Sequence, residues 1–245
     1  MPNNEDAGAG FLGVLGGMGP MAGATFMQRL TALTDAEFDQ QHVPAILWSD
    51  PRIPSRSKGY LKQGPDPFPW MLGAVKVLAD IGAQTIVIPC NTAHLWYQPL
   101  AAASPVPILH IVQAVVADLR RQGVHQGRVG LMGTAATLKL GLYQQVLEAA
   151  GYQCLVPTEE ELDAHCCNSI ALVAANRPAE ALAPATACVR SLKARGADVV
   201  VLGCTELPLA IPHLCRPELG VPVVDSIDAL ALAAIEWYRS SHPRE

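Results

Sequence analysis

The sequence predicts an α/β fold of two pseudosymmetric lobes, each a parallel sheet flanked by helices, with the functional site in the cleft between them. Three observations predict it. Short β-branched and apolar runs alternate with Ala-rich and Leu-rich stretches of helical spacing, the order expected when parallel strands are joined by crossover helices. Of the 245 residues, 50% are apolar and 16% charged, which suffices to bury one large core or two modest ones. The chain also repeats itself. "GAQTIVIPCNT" from Gly82 matches "GADVVVLGCTE" from Gly196, 114 positions on, and "VPILHIVQAV" from Val106 resembles "VPVVDSIDAL" from Val221, 115 positions on. "GVLGGMG" near the start resembles "VGLMGTA" after Arg128. A near-constant offset implies two similar units.

Taken in order, "FLGVLGG" reads as a buried strand, 20–34 as a helix, and "AILWS" as a second strand. The segment 50–69 carries prolines at 51, 54, 65, 67 and 69 with Gly59 and Gly64, and is expected to be an irregular loop. Residues 69–81 have helical spacing, "TIVIPC" and "ILHI" read as strands, and 111–122 as a helix. "RVGLMG", a helix over 138–150, "DVVVLGC" and "VPVVDS" complete the series. Because the run at Val221 answers the one at Val106, the last strand and helix are expected to return and close the first lobe. The expected division is therefore 1–112 plus 221–245 for the first lobe and 113–220 for the second.

Composition excludes several classes of function. The net charge is −5 and the 17 basic residues are scattered, whereas binding nucleic acid needs clustered Lys and Arg. The opening "MPNNEDAGAG" is polar and acidic, unlike a signal peptide, and no apolar run reaches the roughly 18 residues of a membrane span. A cytoplasmic protein is expected, with its seven cysteines mostly reduced. None forms a C-x-x-C pair, so no metal site is expected, and Cys154, Cys166, Cys167, Cys188 and Cys215 read as small apolar residues. The glycines of "GFLGVLGGMGP" contain no G-x-G-x-x-G, which argues against a dinucleotide. They read instead as a tight strand-to-helix turn that lines the cleft and brings Met18 near a ligand.

The repeat gives Cys90 and Cys204 equal places, each where an apolar run stops and a helix can begin. In parallel α/β units functional groups gather at that turn. Asn91 with Thr92, and Thr205 in the second half, are good helix-start residues, and free backbone N–H groups there favour negative charge. Each thiol is therefore expected to ionise more readily than a free one. Two facing thiols, one ionised and one protonated, can take a proton from one side of a carbon and return one to the other: stereoinversion without a cofactor. Each cysteine alone has an ordinary reading as a small residue ending a buried strand, and it is the shared context that favours the pair. His94, one turn after Cys90, reads either as a group that tunes the thiolate or as a packed histidine. Glu206 reads as a partner for the second thiol or a substrate ammonium, or as a helix-start acid. Trp96 and Tyr97 read as core or dimer contacts, and Lys139 as a solvated helix residue.

These residues resemble the aspartate/glutamate racemase family, in the branch of cofactor-independent aspartate racemases and broad-specificity amino-acid racemases. The likeness rests on "GGMGP" at 16–20, "PCNTAH" at 89–94, "PILHI" at 107–111, "GLYQ" at 141–144 and "GCTELP" at 203–208. It implies catalytic cysteines at Cys90 and Cys204, an amino-acid substrate, no cofactor, and a homodimer. It also implies that Asn91, Thr92, Thr137 and Thr205 hold the α-carboxylate, and that Arg56 grips a side-chain carboxylate. Two departures bear on the substrate. Where aspartate-specific members carry an Asp-Arg pair, this chain has Ser55 and Arg56, and the family lysine expected near Ile170 has no match. The substrate class implied is an acidic or related amino acid. Other enzymes sharing these lobes, such as a hydantoin racemase, a maleate-type isomerase or an arylmalonate-type decarboxylase, are the alternatives, together with a non-catalytic amino-acid-binding protein.

Overall fold

A computed structural model describes residues 10–242; the polar opening at 1–9, which the sequence reading set against a signal peptide, and residues 243–245 lie outside the described residues. The first half runs β1 (Phe11–Gly16), α1 (Pro20–Leu33), β2 (Ala45–Ser49), α2 (Arg56–Tyr60), α3 (Phe68–Asp80), β3 (Ala83–Val87), a 3-10 turn (Thr92–Trp96), α4 (Tyr97–Ala103) and α5 (Ile111–Arg121). The second runs β4 (Gly127–Met132), α6 (Ala135–Lys139), α7 (Gln144–Ala149), β5 (Tyr152–Leu155), α8 (Glu159–Glu161), a π-helical turn (Leu162–Cys167), α9 (Asn168–Ala174), α10 (Pro178–Ala194), β6 (Val199–Leu202), α11 (Leu207–Ala210), a second 3-10 segment (His213–Leu219), β7 (Val223–Asp225) and α12 (Ser226–Ser241).

Two all-parallel sheets result, in the order β2-β1-β3 and β5-β4-β6-β7. A parallel bridge from Ile86 to Ile108 adds a fourth position to the first sheet, so β1, β2, β3 and Ile108 match β4, β5, β6 and β7. The repeat in the sequence is therefore a repeat in topology. This corrects one expectation: the run at Val221 does not return its strand to the first lobe, because β7 pairs with β6 in register Val200↔Val223. Only the helix crosses back, as α12 packs against α1 and α5.

Burial explains why these segments fold as they do. All four residues of β6 are buried, as a strand covered on both faces requires. On α1 the buried positions Ala22, Gly23, Phe26 and Leu30, and on α3 Met71, Ala74, Val75 and Leu78, recur every three to four residues. The core joining Leu12 and Val14 to α1, α5, α12, β4, β6 and α10 is continuous across the two halves. A second core of the first half packs α3 against the other face of its sheet. Each fully buried Leu, Val or Ile contributes on the order of 1.5–3 kcal/mol.

Two further expectations need correction. The Pro-rich segment is not wholly irregular, because Ser55 caps α2 by accepting the Lys58 backbone N–H. The helix expected over 138–150 is two helices, interrupted where Gly141 adopts φ 70°, a left-handed conformation that costs a glycine little. No helix among the described residues is long and apolar enough to cross a membrane.

Candidate active site

Cys90 follows β3 and Cys204 follows β6, at equivalent edges of the two sheets. Both are 5% exposed and both line one cavity of about 130 Å³. The other lining residues are Met18, Ser55, Arg56, Ser57, Asn91, Thr92, Thr134, Ile170, Thr205 and Glu206. Ten of the twelve fall into pairs 114 to 116 positions apart: Met18 with Thr134, Arg56 with Ile170, Cys90 with Cys204, Asn91 with Thr205, and Thr92 with Glu206. The cavity thus inherits the symmetry of the repeat, broken in charge at two of the pairs. One wall offers a guanidinium where the other offers isoleucine; the other offers a carboxylate where the first offers threonine.

Those two charges act on different thiols. Burial pushes the Cys90 thiol above its ordinary range, with the Arg56 charge opposing, Glu206 adding to the rise and the Ala93 backbone N–H again opposing. Burial pushes Cys204 well above its ordinary range, and Glu206 raises it further by charge and by hydrogen bonding. The Cys204 Sγ donates to Glu206 Oε2 at 3.0 Å, and Thr205 Oγ1 donates to the same oxygen at 3.3 Å. A charge on Cys90 also raises Cys204, so the two thiols are electrostatically coupled. The expectation that the turns lower both thiols is corrected here, because desolvation outweighs the one backbone N–H each receives, from Ala93 and from Glu206.

Around the thiols, polar side chains are tied to one another. Asn91 Nδ2 donates to Ser226 Oγ at 3.0 Å, and its Oδ1 accepts from the wholly buried Tyr143 hydroxyl at 2.5 Å. The Asn91 amide is therefore held from behind. The Thr92 hydroxyl lies 3.1 Å from that of Thr137 and 3.3 Å from that of Thr134, bridging the two halves. Thr137 itself is wholly buried behind the cavity wall, which corrects its expected place against the ligand. The lining position belongs to Thr134, which caps α6 through the Thr137 backbone N–H. The repeat held that signal, since "GGMG" laid on "MGTA" puts Thr134 opposite Met18.

His94 does not touch the cavity. Its Nδ1–H donates to the Cys90 carbonyl at 3.0 Å and its Nε2 accepts the Ile111 N–H at 3.2 Å, which fixes one neutral tautomer. Burial and the neighbouring His110 hold its pKa down at about 3. Its effect on Cys90 runs through the backbone. Arg56 is carried by α2, with Nη1 donating to the carbonyls of Ile53 and Pro54. Trp96 packs edge-on against Tyr60 at 5.6 Å and so anchors that short helix, while the Tyr97 hydroxyl donates to the Ile108 carbonyl. Lys139 is 62% exposed in an ion pair with Glu159. Among the described residues one His/Asp group, His213, Asp225 and Asp228, has metal-like spacing, but Arg29 takes both oxygens of Asp228 and Arg216 pairs with Asp225.

Residues 15–234 match the family model for Asp/Glu/Hydantoin racemase. The chain is 25% identical over 234 residues to the broad specificity amino-acid racemase RacX of Bacillus subtilis, covering 93% of this chain and 97% of that one. It is 30% identical over 166 residues to the glutamate racemase of Aquifex aeolicus, covering 66% of this chain and 62% of the relative. Among solved structures it superposes on Picrophilus torridus aspartate racemase with a TM-score of 0.82 at 31% identity, covering 94% of each chain.

Proposed function

The chain belongs to the Asp/Glu/Hydantoin racemase family, and from that premise we propose that it is a cofactor-independent amino-acid racemase in which Cys90 and Cys204 are the catalytic residues. The observation that carries the reading is that both thiols line one small cavity, from equivalent turns of the repeat. One thiolate removes the α-proton, and the thiol on the opposite face of the carbon delivers another. Each turnover exchanges which sulfur holds the proton, so the reaction balances without any further acid. Proton transfer by positioned groups supplies roughly 10² to 10⁴ in rate. The rest must come from donors that stabilise the carboxylate as the α-carbon gives up its proton. The hydroxyls of Thr92, Thr134 and Thr205 and the turn N–H groups serve that purpose in this reading.

The electrostatic asymmetry assigns the resting state. Cys90, beside Arg56, is the sulfur that ionises first, while Cys204 keeps its proton on sulfur and donates it in a hydrogen bond to the Glu206 carboxylate. Arg56 also faces the distal group of an acidic or related amino acid, and Arg56→Ala weakens turnover of acidic substrates more than of neutral ones. The protein is further proposed to be a cytoplasmic homodimer. Incubating single amino acids in D₂O tests the reading: a racemase exchanges the α-hydrogen and loses optical rotation, whereas binding without exchange in any amino acid would overturn it.

A further inference from the structure

Two thiols that this reaction does not use lie against each other in the second half. Cys166, in the π-helical turn, and Cys188, in α10, are both wholly buried, with their sulfurs 3.4 Å apart. Buried free cysteines usually pack as small apolar residues, and the sequence alone gives these two no more than that. Three features of their setting go further. The sulfurs are already in contact, and a disulfide needs a bond of about 2.05 Å, so a closure of little more than 1 Å would join them. The turn that carries Cys166 is a π-helical one, and such widened turns interrupt a helix and recur at functional sites. The two thiols also divide their roles. The contact lets one sulfur hold a proton toward the other, and the Gly133 backbone N–H that reaches Cys166 and not Cys188 favours the thiolate on Cys166. A nucleophilic thiol beside a protonated one is the arrangement of an attacking and a resolving cysteine.

The pair is also wired to the cavity. Gly133, which donates to Cys166, immediately precedes the lining residue Thr134, and Ile170, four residues after Cys166, lines the same cavity from α9. We propose that Cys166 and Cys188 form a reversible intramolecular disulfide when exposed to a hydroperoxide, and that this bond slows turnover by displacing the wall that carries Thr134 and Ile170. The bond itself does not depend on the function proposed above; its effect on turnover rests on that reading. In the first step, with hydrogen peroxide, the Cys166 sulfur attacks one peroxide oxygen, the O–O bond breaks, and a sulfenic acid forms while the departing hydroxide takes up the thiol proton as one water. In the second the Cys188 sulfur attacks the sulfenic sulfur, the S–S bond forms, and a second water leaves with the Cys188 proton. Two thiols lose two electrons and one hydroperoxide gains them. Local opening of the π-helical turn admits so small an oxidant.

The test treats the native protein with stoichiometric hydrogen peroxide, blocks free thiols, and maps cysteines by mass spectrometry without reduction. A peptide linking Cys166 to Cys188, released by a dithiol reductant, is expected. Oxidation should also raise the thermal midpoint, because the bond closes the loop containing α9; this readout holds even for a protein that racemises nothing. Turnover is expected to fall by up to roughly 10²-fold, the scale of loss from an ångström-level misplacement, and to recover with dithiol. Cys188→Ala and Cys166→Ala should each abolish the recoverable loss. Absence of the linked peptide while other cysteines oxidise would overturn the proposed bond. A linked peptide with unchanged turnover, or an equal recoverable loss in both variants, would overturn its control of the cavity.

Discussion

Cys90 and Cys204 stand at equivalent positions, yet Arg56 stands beside the first and Glu206 beside the second. Because both thiols are held above their ordinary range, the reactive thiolate forms late, and kcat/KM is predicted to keep rising with pH through about 8.5, the reference for a free thiol. The sign follows from the base being the deprotonated form. Glu206→Gln removes the carboxylate that raises both Cys90 and Cys204 and should move that limb to lower pH, whereas a profile flat from neutral pH upward would contradict the assignment. Much of the lining of the candidate cavity was legible. The repeat located both cysteines, and Met18, Arg56, Asn91, Thr92, Thr205 and Glu206 line the cavity with them. Thr137 was misplaced because a helix-capping threonine and one three residues on look alike in sequence, and only the turn after β4 decides which faces the cavity. Ser57 was not singled out, and Ser55 and Ile170 entered only as departures from the family pattern; the offset of 114 would have placed Ile170 opposite Arg56.

The elements that hold the site are short and depend on one another. Tyr143, just before α7, reaches Asn91 across the two halves, so the turn after β3 is fixed by a residue of the second lobe. Gly203 makes this fit possible, since a Cβ there would meet the Met132 carbonyl at 2.8 Å and the Tyr143 ring at 3.0 Å. Tyr143→Phe leaves the buried Asn91 carbonyl without its donor and should cost about 1–3 kcal/mol in urea unfolding, with a matching loss of turnover. A change of only a few tenths would show that Asn91 finds another partner. Strands and long helices were legible because burial imposes a period on them. Helix α2 was hidden by the prolines that flank it, and the break at Gly141 by an apolar pattern that continues past it.

Across the whole molecule, α5 and α12 tie the halves together, and two neutral histidines meet the start of α5: half-buried His110 caps it, and buried His94 accepts its Ile111 N–H. Burial holds His94 at about 3 and His110 at about 4, both below the 6.5 of an unfolded histidine. The unfolded chain therefore binds more protons between these values, and the stability from neutral histidines is present above pH 6.5 and lost as pH falls toward 4 and then 3. Each contributes a slope of about 1.4 kcal/mol per pH unit in that window, and His94→Gln should remove about one proton's share from urea unfolding measured against pH. The pairing of the two lobes was legible from the repeat, whereas the placement of β7 was not, since similar runs at Val106 and Val221 do not say which sheet each joins. In the proposed mechanism two thiols serve opposite faces of one carbon. The measurement that tests it most directly follows α-deuterium exchange and racemisation of each enantiomer in D₂O for the parent, Cys90→Ser and Cys204→Ser. The account predicts that racemisation falls by roughly 10² to 10⁴ in both variants, with one washing deuterium into the L-form and the other into the D-form. Near-parental racemisation in either variant would contradict it.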